Sequence, residues 1–314
     1  MLSRVADSIY WMSRYLERAE NTARFIDVNL QMVLDLPIEQ QQWAPLVAIT
    51  GDLKSFKKKY GEPTESNVLQ FLSFDKENPN SISSCFSDAR ENARSIREII
   101  SSEMWEQINR SYLMVRDAEQ TDRMAYDAMS FLTHVKKACQ LLIGATDVTM
   151  THGEAWHFAR LGRLIERADM TSRILDVKYF IILPRADYVG TPFDSHQWAA
   201  LLKSASAFEM YRKRFYHITP HDVAKFLMLD REFPRAIHYC LIKAEESLNA
   251  IYGTPRGTYN NGAEQGLGRL RAELNFASIE EIFHQGLHEY LDRFQGKLND
   301  VGSAIYDAIY GVQR

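Results

Sequence analysis

The segment Arg14-Tyr-Leu-Glu-Arg-Ala-Glu-Asn-Thr-Ala-Arg-Phe-Ile-Asp-Val28 returns 149 residues later as Arg163-Leu-Ile-Glu-Arg-Ala-Asp-Met-Thr-Ser-Arg-Ile-Leu-Asp-Val177, with 8 of 15 positions identical. A second block, Gln42 to Glu91, aligns without gaps to Gln197 to Glu246 at an offset of 155 and keeps 16 of 50 residues. The identities include Trp43/Trp198, Lys58/Lys213, Phe71/Phe226, Asp75/Asp230, Pro79/Pro234, Cys85/Cys240 and Glu91/Glu246. An internal repeat decides a fold before local propensity does. The chain therefore reads as one domain over 1–314 made of two tandem halves, 1–148 and 149–314, related by a pseudo-two-fold axis. The six extra residues between the blocks fall in 183–195, whose Pro, Gly and Asp content predicts a surface loop.

Around the first copy, Val5, Ile9, Met12, Leu16, Ala19, Ala23, Ile26 and Leu30 recur at alternating spacings of four and three, the apolar stripe of a helix of about 30 residues. The second copy repeats it with Phe158, Leu161, Ile165, Ala168, Ser172, Leu175, Tyr179 and Ile182. Thr151 with Glu154 and Ser278 with Glu281 have capping-box spacing, and Pro220, Pro79 and Pro234 suit a first helical position. No sustained period-two alternation marks a strand. The expectation is an all-α bundle of about twelve helices, near 3–35, 43–60, 64–74, 79–100, 103–117, 120–148, 151–183, 195–216, 219–229, 233–251, 263–276 and 278–310. The Gly-, Asn- and Thr-rich stretch from Gly253 to Gly268 predicts a loop.

Opposite the stripe of the first long helix lie Asp7, Tyr10, Trp11, Arg14, Glu17, Arg18, Asn21, Phe25 and Val28, too aromatic for a solvated face. Each copy offers guanidinium forks beside one carboxylate: Arg14, Glu17 and Arg18 in one, Arg163, Glu166 and Arg167 in the other, with Arg24 and Arg173 further round. Three readings follow. The two helices meet near the axis and exchange Arg–Glu pairs, which relieves the cost of burying charge. Alternatively the surplus of four arginines over two glutamates binds a carboxylate or phosphate. The third reading is a solvent-facing ladder of i,i+4 pairs.

Composition narrows the function classes. Lys and Arg total 37 against 41 Asp and Glu, a net charge of −4 that gives no global attraction to nucleic acid or anionic lipid. No window approaches the ~18 uninterrupted apolar residues of a membrane span, and Arg4, Asp7 and Arg14 interrupt any signal core, so a cytoplasmic protein is expected. Cys85, Cys139 and Cys240 are odd in number and far apart, which fits buried reduced thiols rather than a disulfide framework or zinc site. His284 and His288 have an i,i+4 metal-clamp spacing, but Gln285 stands where a zincin carries its general base and no third ligand is evident, so no metal is expected. His217 and His221 flank a turn and read as structural. Phe56-Lys-Lys-Lys-Tyr60 and Tyr211-Arg-Lys-Arg-Phe215 are basic clusters between aromatics, a weak nucleic-acid signal against the acidic balance. There is no Walker loop, G-x-G-x-x-G or G-x-S-x-G, so neither a cofactor nor a nucleophile is indicated.

The opening Met1-Leu-Ser-Arg-Val-Ala-Asp-Ser-Ile-Tyr-Trp-Met-Ser-Arg-Tyr-Leu-Glu-Arg-Ala-Glu-Asn-Thr-Ala-Arg24, together with Leu161-Gly-Arg-Leu-Ile-Glu-Arg-Ala-Asp169, resembles the bacterial alpha-E family along the whole chain. The match carries the motif to Arg14, Glu17, Arg18 and Arg24 and to Arg163, Glu166, Arg167 and Arg173. Ser13 departs from the Gly common in the family, whereas Gly162 keeps it. The resemblance implies association with circularly permuted ATP-grasp proteins and transglutaminase-like proteins, hence a role in peptide or amide-bond metabolism. Two functions are compatible with it: an accessory protein whose Arg-rich face holds a carboxylate-bearing ligand or partner, or an enzyme with Glu17 or Glu166 as general base.

Overall fold

The computed structural model describes residues 1–34, 43–180 and 192–311, and these are all-α, with fifteen helices and no strand among them. The first seven are α1 (Ser3–Leu34), α2 (Ala44–Thr50), α3 (Leu53–Tyr60), α4 (Glu65–Ser73), α5 (Ile82–Ser95), α6 (Ser102–Gln120) and α7 (Arg123–Thr149). They are followed by α8 (Glu154–Phe180), α9 (Pro192–Ser204), α10 (Phe208–Arg212), α11 (Pro220–Leu229), α12 (Ile237–Tyr252), α13 (Gly262–Phe276), α14 (Ile279–Gln285) and α15 (Leu287–Tyr310).

Twelve expected helices become fifteen because three break. Gly51 (φ 79), Ser206 (φ 51) and Gly286 (φ 91) adopt backbone conformations that a continuing helix excludes, splitting 43–60, 195–216 and 278–310. Gly51 and Ser206 occupy matching positions at the 155-residue offset, so both copies break at the same place. Other details also depart from the sequence reading. Pro79 and Pro234 precede their helices by a turn rather than opening them; Ser81 caps α5 by accepting from the Ser84 amide. Helix α8 starts only at Glu154, leaving Thr151 ahead of it, whereas Ser278 and Glu281 do form the reciprocal box. The predicted loop ends at Asn261, which caps α13, so Gly262 and Gly268 are helical. Of the predicted surface loop, 183–191 lies outside the described residues and 192–195 opens α9.

Helices α1 and α8 form the centre. Helix α1 packs on α5, α7 and α8, while α8 packs on α12, α15 and α1; α2 crosses to lie on α8, and α9 crosses to lie on α1. Around them α6 joins α5 to α7, as α13 joins α12 to α15. The apolar stripe is buried as expected, with Ile9, Ala19, Ala23 and Ile26 at zero exposure, and Leu161, Ile165, Ala168 and Leu175 match it in α8. The opposite face is buried too: Ala19 to Asn29 is enclosed on all sides. That rules out the solvent-facing ladder, because Glu17, Glu20, Arg24 and Asp27 are buried and Arg14 and Arg18 are mostly covered by protein.

Recurring contacts tie the two halves in detail. Phe56, Tyr60 and Phe71 form an aromatic cluster in one half, and Tyr211, Phe215 and Phe226 form its counterpart. Lys59 pairs with Asp75 and Glu77; Arg214 pairs with Asp230 and Glu232. The aromatics of the two basic clusters thus point into the core, and one cation of each, Lys59 and Arg214, is paired with carboxylates. Cys85 and Cys240 are fully buried, each thiol directed at the carbonyl oxygen of the proline six residues back, at 3.8 Å (Pro79) and 3.5 Å (Pro234). Burial pushes both thiols up to about 12. Neither should react with a maleimide in the native protein at a rate approaching that in denaturant; equal rates would place these thiols at the surface.

Candidate functional site

Both Glu-Arg motifs sit midway along α1 and α8, where the helices cross, and each glutamate takes its arginine from the other helix. Glu17 accepts from Arg167 Nε at 2.8 Å and Nη2 at 2.7 Å, a bidentate fork. Glu166 accepts from Arg18 Nε at 2.6 Å and Nη2 at 3.1 Å, and from Arg14 Nε at 2.8 Å. Both carboxylates have zero side-chain exposure. Burial alone would push them up; around Glu17 the Arg167 and Arg235 charges, and around Glu166 the Arg18 and Arg14 charges, more than reverse this and hold each carboxyl at about 2. Of the eight residues singled out from the sequence, five therefore join in reciprocal pairing: Arg14, Glu17, Arg18, Glu166 and Arg167.

The remaining three are placed differently. Arg24 pairs with Glu20 one turn back on α1, and Arg173 donates to Asp169 Oδ2 at 2.8 Å in the equivalent place on α8. Arg163 makes no hydrogen bond or ion pair with any described residue. Burial, followed by the nearby Arg167 charge, lowers its pKa to about 10.

Sequence reading missed Glu20, Asn80 and Arg235. Asn80 and Arg235 are counterparts, each following a repeated proline, and each reaches the motif nearest it. Asn80 Oδ1 accepts from Arg18 Nη1 at 2.8 Å. Arg235 instead donates from Nη1 to Glu17 Oε1 at 3.1 Å and to Asn21 Oδ1 at 2.8 Å, and from Nη2 to both oxygens of Glu20 at 2.9 Å. The signal was present in the alignment, since the residues after Pro79 and Pro234 differ by one full charge.

Beside the Glu166 motif the structure is open. A polar cavity of about 160 Å³ is lined by Arg14, Arg18, Asn80, Glu166, Asp169 and Arg173. On the far side of Arg14 a second cavity, of about 380 Å³, is bordered by Trp11, Asp169, Asn299, Tyr306 and Asp307. Arg14 stands between them with its guanidinium 4.8 Å from the Trp11 ring centroid and Nη1 donating to the Tyr10 hydroxyl at 3.4 Å. Three arginines face two acids here, so the polar cavity carries one uncompensated positive charge. Asp169 Oδ1 is buried with no hydrogen-bond partner among the described residues.

Nothing among the described residues gathers three or more His, Cys, Asp or Glu side chains for a metal ion. His284 and His288 do not share a helix face, because the break at Gly286 separates α14 from α15; His288 Nδ1 instead lies 2.6 Å from Asp176 Oδ1. His221 pairs with Glu280, and the His217 carbonyl accepts from the Tyr211 hydroxyl. No helix is long and apolar enough to cross a membrane among the described residues.

A family model described as a predicted alpha-helical domain with a conserved ER motif matches residues 1–309. Two uncharacterized proteins, one from Mycobacterium bovis and one from Mycobacterium tuberculosis, are each 21% identical over 330 residues. The alignments cover 96% of this chain and 36% of theirs, so the chain spans about a third of the length of the curated relatives it matches. No solved structure matches it.

Proposed function

Because the chain belongs to the Alpha-E family, and because its two Glu-Arg motifs close upon each other, we propose that it is a binding protein that holds a carboxylate-bearing ligand or partner in the polar cavity beside Glu166. The observation that carries this reading is the surplus of guanidinium there: Arg18 and Arg14 are anchored by Glu166, Arg173 by Asp169, and one positive charge is left over. Anchored arginines lose little further entropy when they engage a carboxylate, and their forks match its geometry. Glu17 and Glu166 are poor candidates for a general base. A base works best with a pKa near the operating pH, and both carboxyls are held far below it by paired arginines.

We also read the halves 1–148 and 149–314 as a tandem duplication, a reading supported by the shared helix order and the reciprocal pairs. The expected partners, an ATP-grasp-type ligase and a transglutaminase-like protein, rest on family resemblance, and a carboxylate-terminated peptide is the ligand that suits such a system. Titration calorimetry with N-acetyl-diglycine and its C-terminal amide tests the site. The free acid should bind, the amide should not, and Arg173→Gln should weaken binding at least tenfold, about 1.4 kcal/mol. Equal binding of acid and amide would contradict a carboxylate site.

A further inference from the structure

The two cavities beside Arg14 share three walls, Arg14, Asp169 and Asn299, yet they differ in charge. The smaller, of about 160 Å³, sets Arg14, Arg18 and Arg173 against Glu166 and Asp169. The larger, of about 380 Å³, has the carboxylates of Asp169 and Asp307 and the guanidinium of Arg14, whose Nε already donates to Glu166. Over both cavities three arginines meet three acids. A ligand carrying only a carboxylate would leave the pair one charge negative. A carboxylate and an ammonium on the same ligand keep the balance, and each end meets the opposite sign.

Asp169 is the carboxylate with capacity to spare. It is 8% exposed and lines both cavities; its Oδ2 accepts from Arg173, while Oδ1 has no hydrogen-bond partner among the described residues. Its counterpart across the repeat, Glu20, accepts from Arg24, from Arg235 and, at 3.4 Å, from Gln140 Nε2. The difference lies in the chain itself: the half that faces Asp169 has Asn80 where the other has Arg235, so no second cation among the described residues donates to Asp169. Leaving a buried acceptor without a donor is costly, and a cation from outside would supply one. The Trp11 and Tyr306 rings bordering the larger cavity add faces that attract an ammonium.

We propose that the two cavities form one site for a zwitterion, whose carboxylate lies on Arg18 and Arg173 and whose ammonium lies against Asp169 on the Trp11 side. This rests on the carboxylate reading above and narrows it, since the ligand carries a free amine as well as a free acid. Arg14 stands between the cavities, so the two charges are further apart than in an α-amino acid. The two ends of a dipeptide meet that spacing, as do the side-chain amine and the carboxylate of a lysine-type residue.

Titration calorimetry of the full chain at neutral pH with diglycine, N-acetyl-diglycine and diglycinamide tests the proposal. Diglycine should bind at least about tenfold tighter than either blocked form, because each has lost one of the two charges. Nα-acetyl-lysine separates the two sources of the amine: tighter binding than diglycine assigns it to a side chain, weaker binding to a peptide amino terminus. Asp169→Asn, which keeps an acceptor for Arg173, should erase the difference between diglycine and N-acetyl-diglycine. Should that variant fail to fold, raising the pH through the titration of diglycine's own amine should close the same gap in the native chain. Equal binding of diglycine and N-acetyl-diglycine would overturn the zwitterion while leaving the carboxylate reading in place. Equal binding of diglycine and diglycinamide would remove the carboxylate reading as well, and a preference that survives in Asp169→Asn would overturn the placement of the ammonium. Binding of none of the four would overturn both.

Discussion

Replacing Glu17 with Ala should lower the stability of the protein by about 3–5 kcal/mol, the usual cost of stranding a buried charge. The carboxylate has zero side-chain exposure and accepts from Arg167, Arg235 and Asn21. Arg235 keeps Glu20, but Arg167 keeps only a 3.4 Å contact to the Pro234 carbonyl oxygen, so most of the loss falls on Arg167. For a chain of this length the melting temperature should fall by roughly 10 °C. The double variant Glu17→Ala/Arg167→Ala should lose clearly less than the sum of the two single losses, because the second substitution removes the stranded charge. Additive losses below about 1 kcal/mol, the range of exposed pairs, would show that the motif does not lock α1 to α8.

The second large effect is expected at Gly162. A Cβ there would lie 2.3 Å from the Tyr10 carbonyl oxygen and 3.1 Å from its carbonyl carbon, so backbone rather than a movable side chain blocks it. Gly162→Ala must push α1 and α8 apart, at about 3 kcal/mol, the upper part of the range for overpacking. The Glu166 pairs lie one turn further along α8, so the same displacement should stretch them and weaken carboxylate binding in the adjacent cavity. Ser13→Ala, at the matching position in α1, should change stability by less than about 0.5 kcal/mol. Comparable melts for Gly162→Ala and the native chain would contradict the close approach.

Much of this architecture was legible because the repeat carries its own register. Aligning Arg14–Val28 with Arg163–Val177 placed each Glu-Arg pair at the same level of two long helices, from which reciprocal pairing follows. The number of helices was less legible: glycine at 51 and 286 is compatible with a break or with continuation, and serine at 206 carries no left-handed signal at all. Periodicity by itself did not decide the environment of α1; the aromatics on its charged face pointed to burial, and Glu17, Glu20 and Asn21 are buried. A helix buried on every side shows an apolar stripe and a charged stripe just as a surface helix does, since internal ion pairs have the composition of a solvated face. Asn80 and Arg235 belong to no motif; the asymmetry of the two Glu-Arg sites lies in this difference between the halves, whereas the identities that align them show only what the sites share.

Glu17 and Glu166 act as permanently ionised locks between α1 and α8. Their folded-state carboxyls, at about 2, lie below the ~4.3 of an unfolded glutamate, so their stabilisation is complete above about pH 4.5 and is lost as pH falls toward 2. Carbon-13 NMR of the glutamate side-chain carboxyl carbons during an acid titration reads this directly. Both signals should stay at the ionised position from pH 7 down to the onset of acid unfolding, with no midpoint above pH 4. A midpoint for either residue at or above 4.5 would mean that its carboxylate is not held by the opposing arginines.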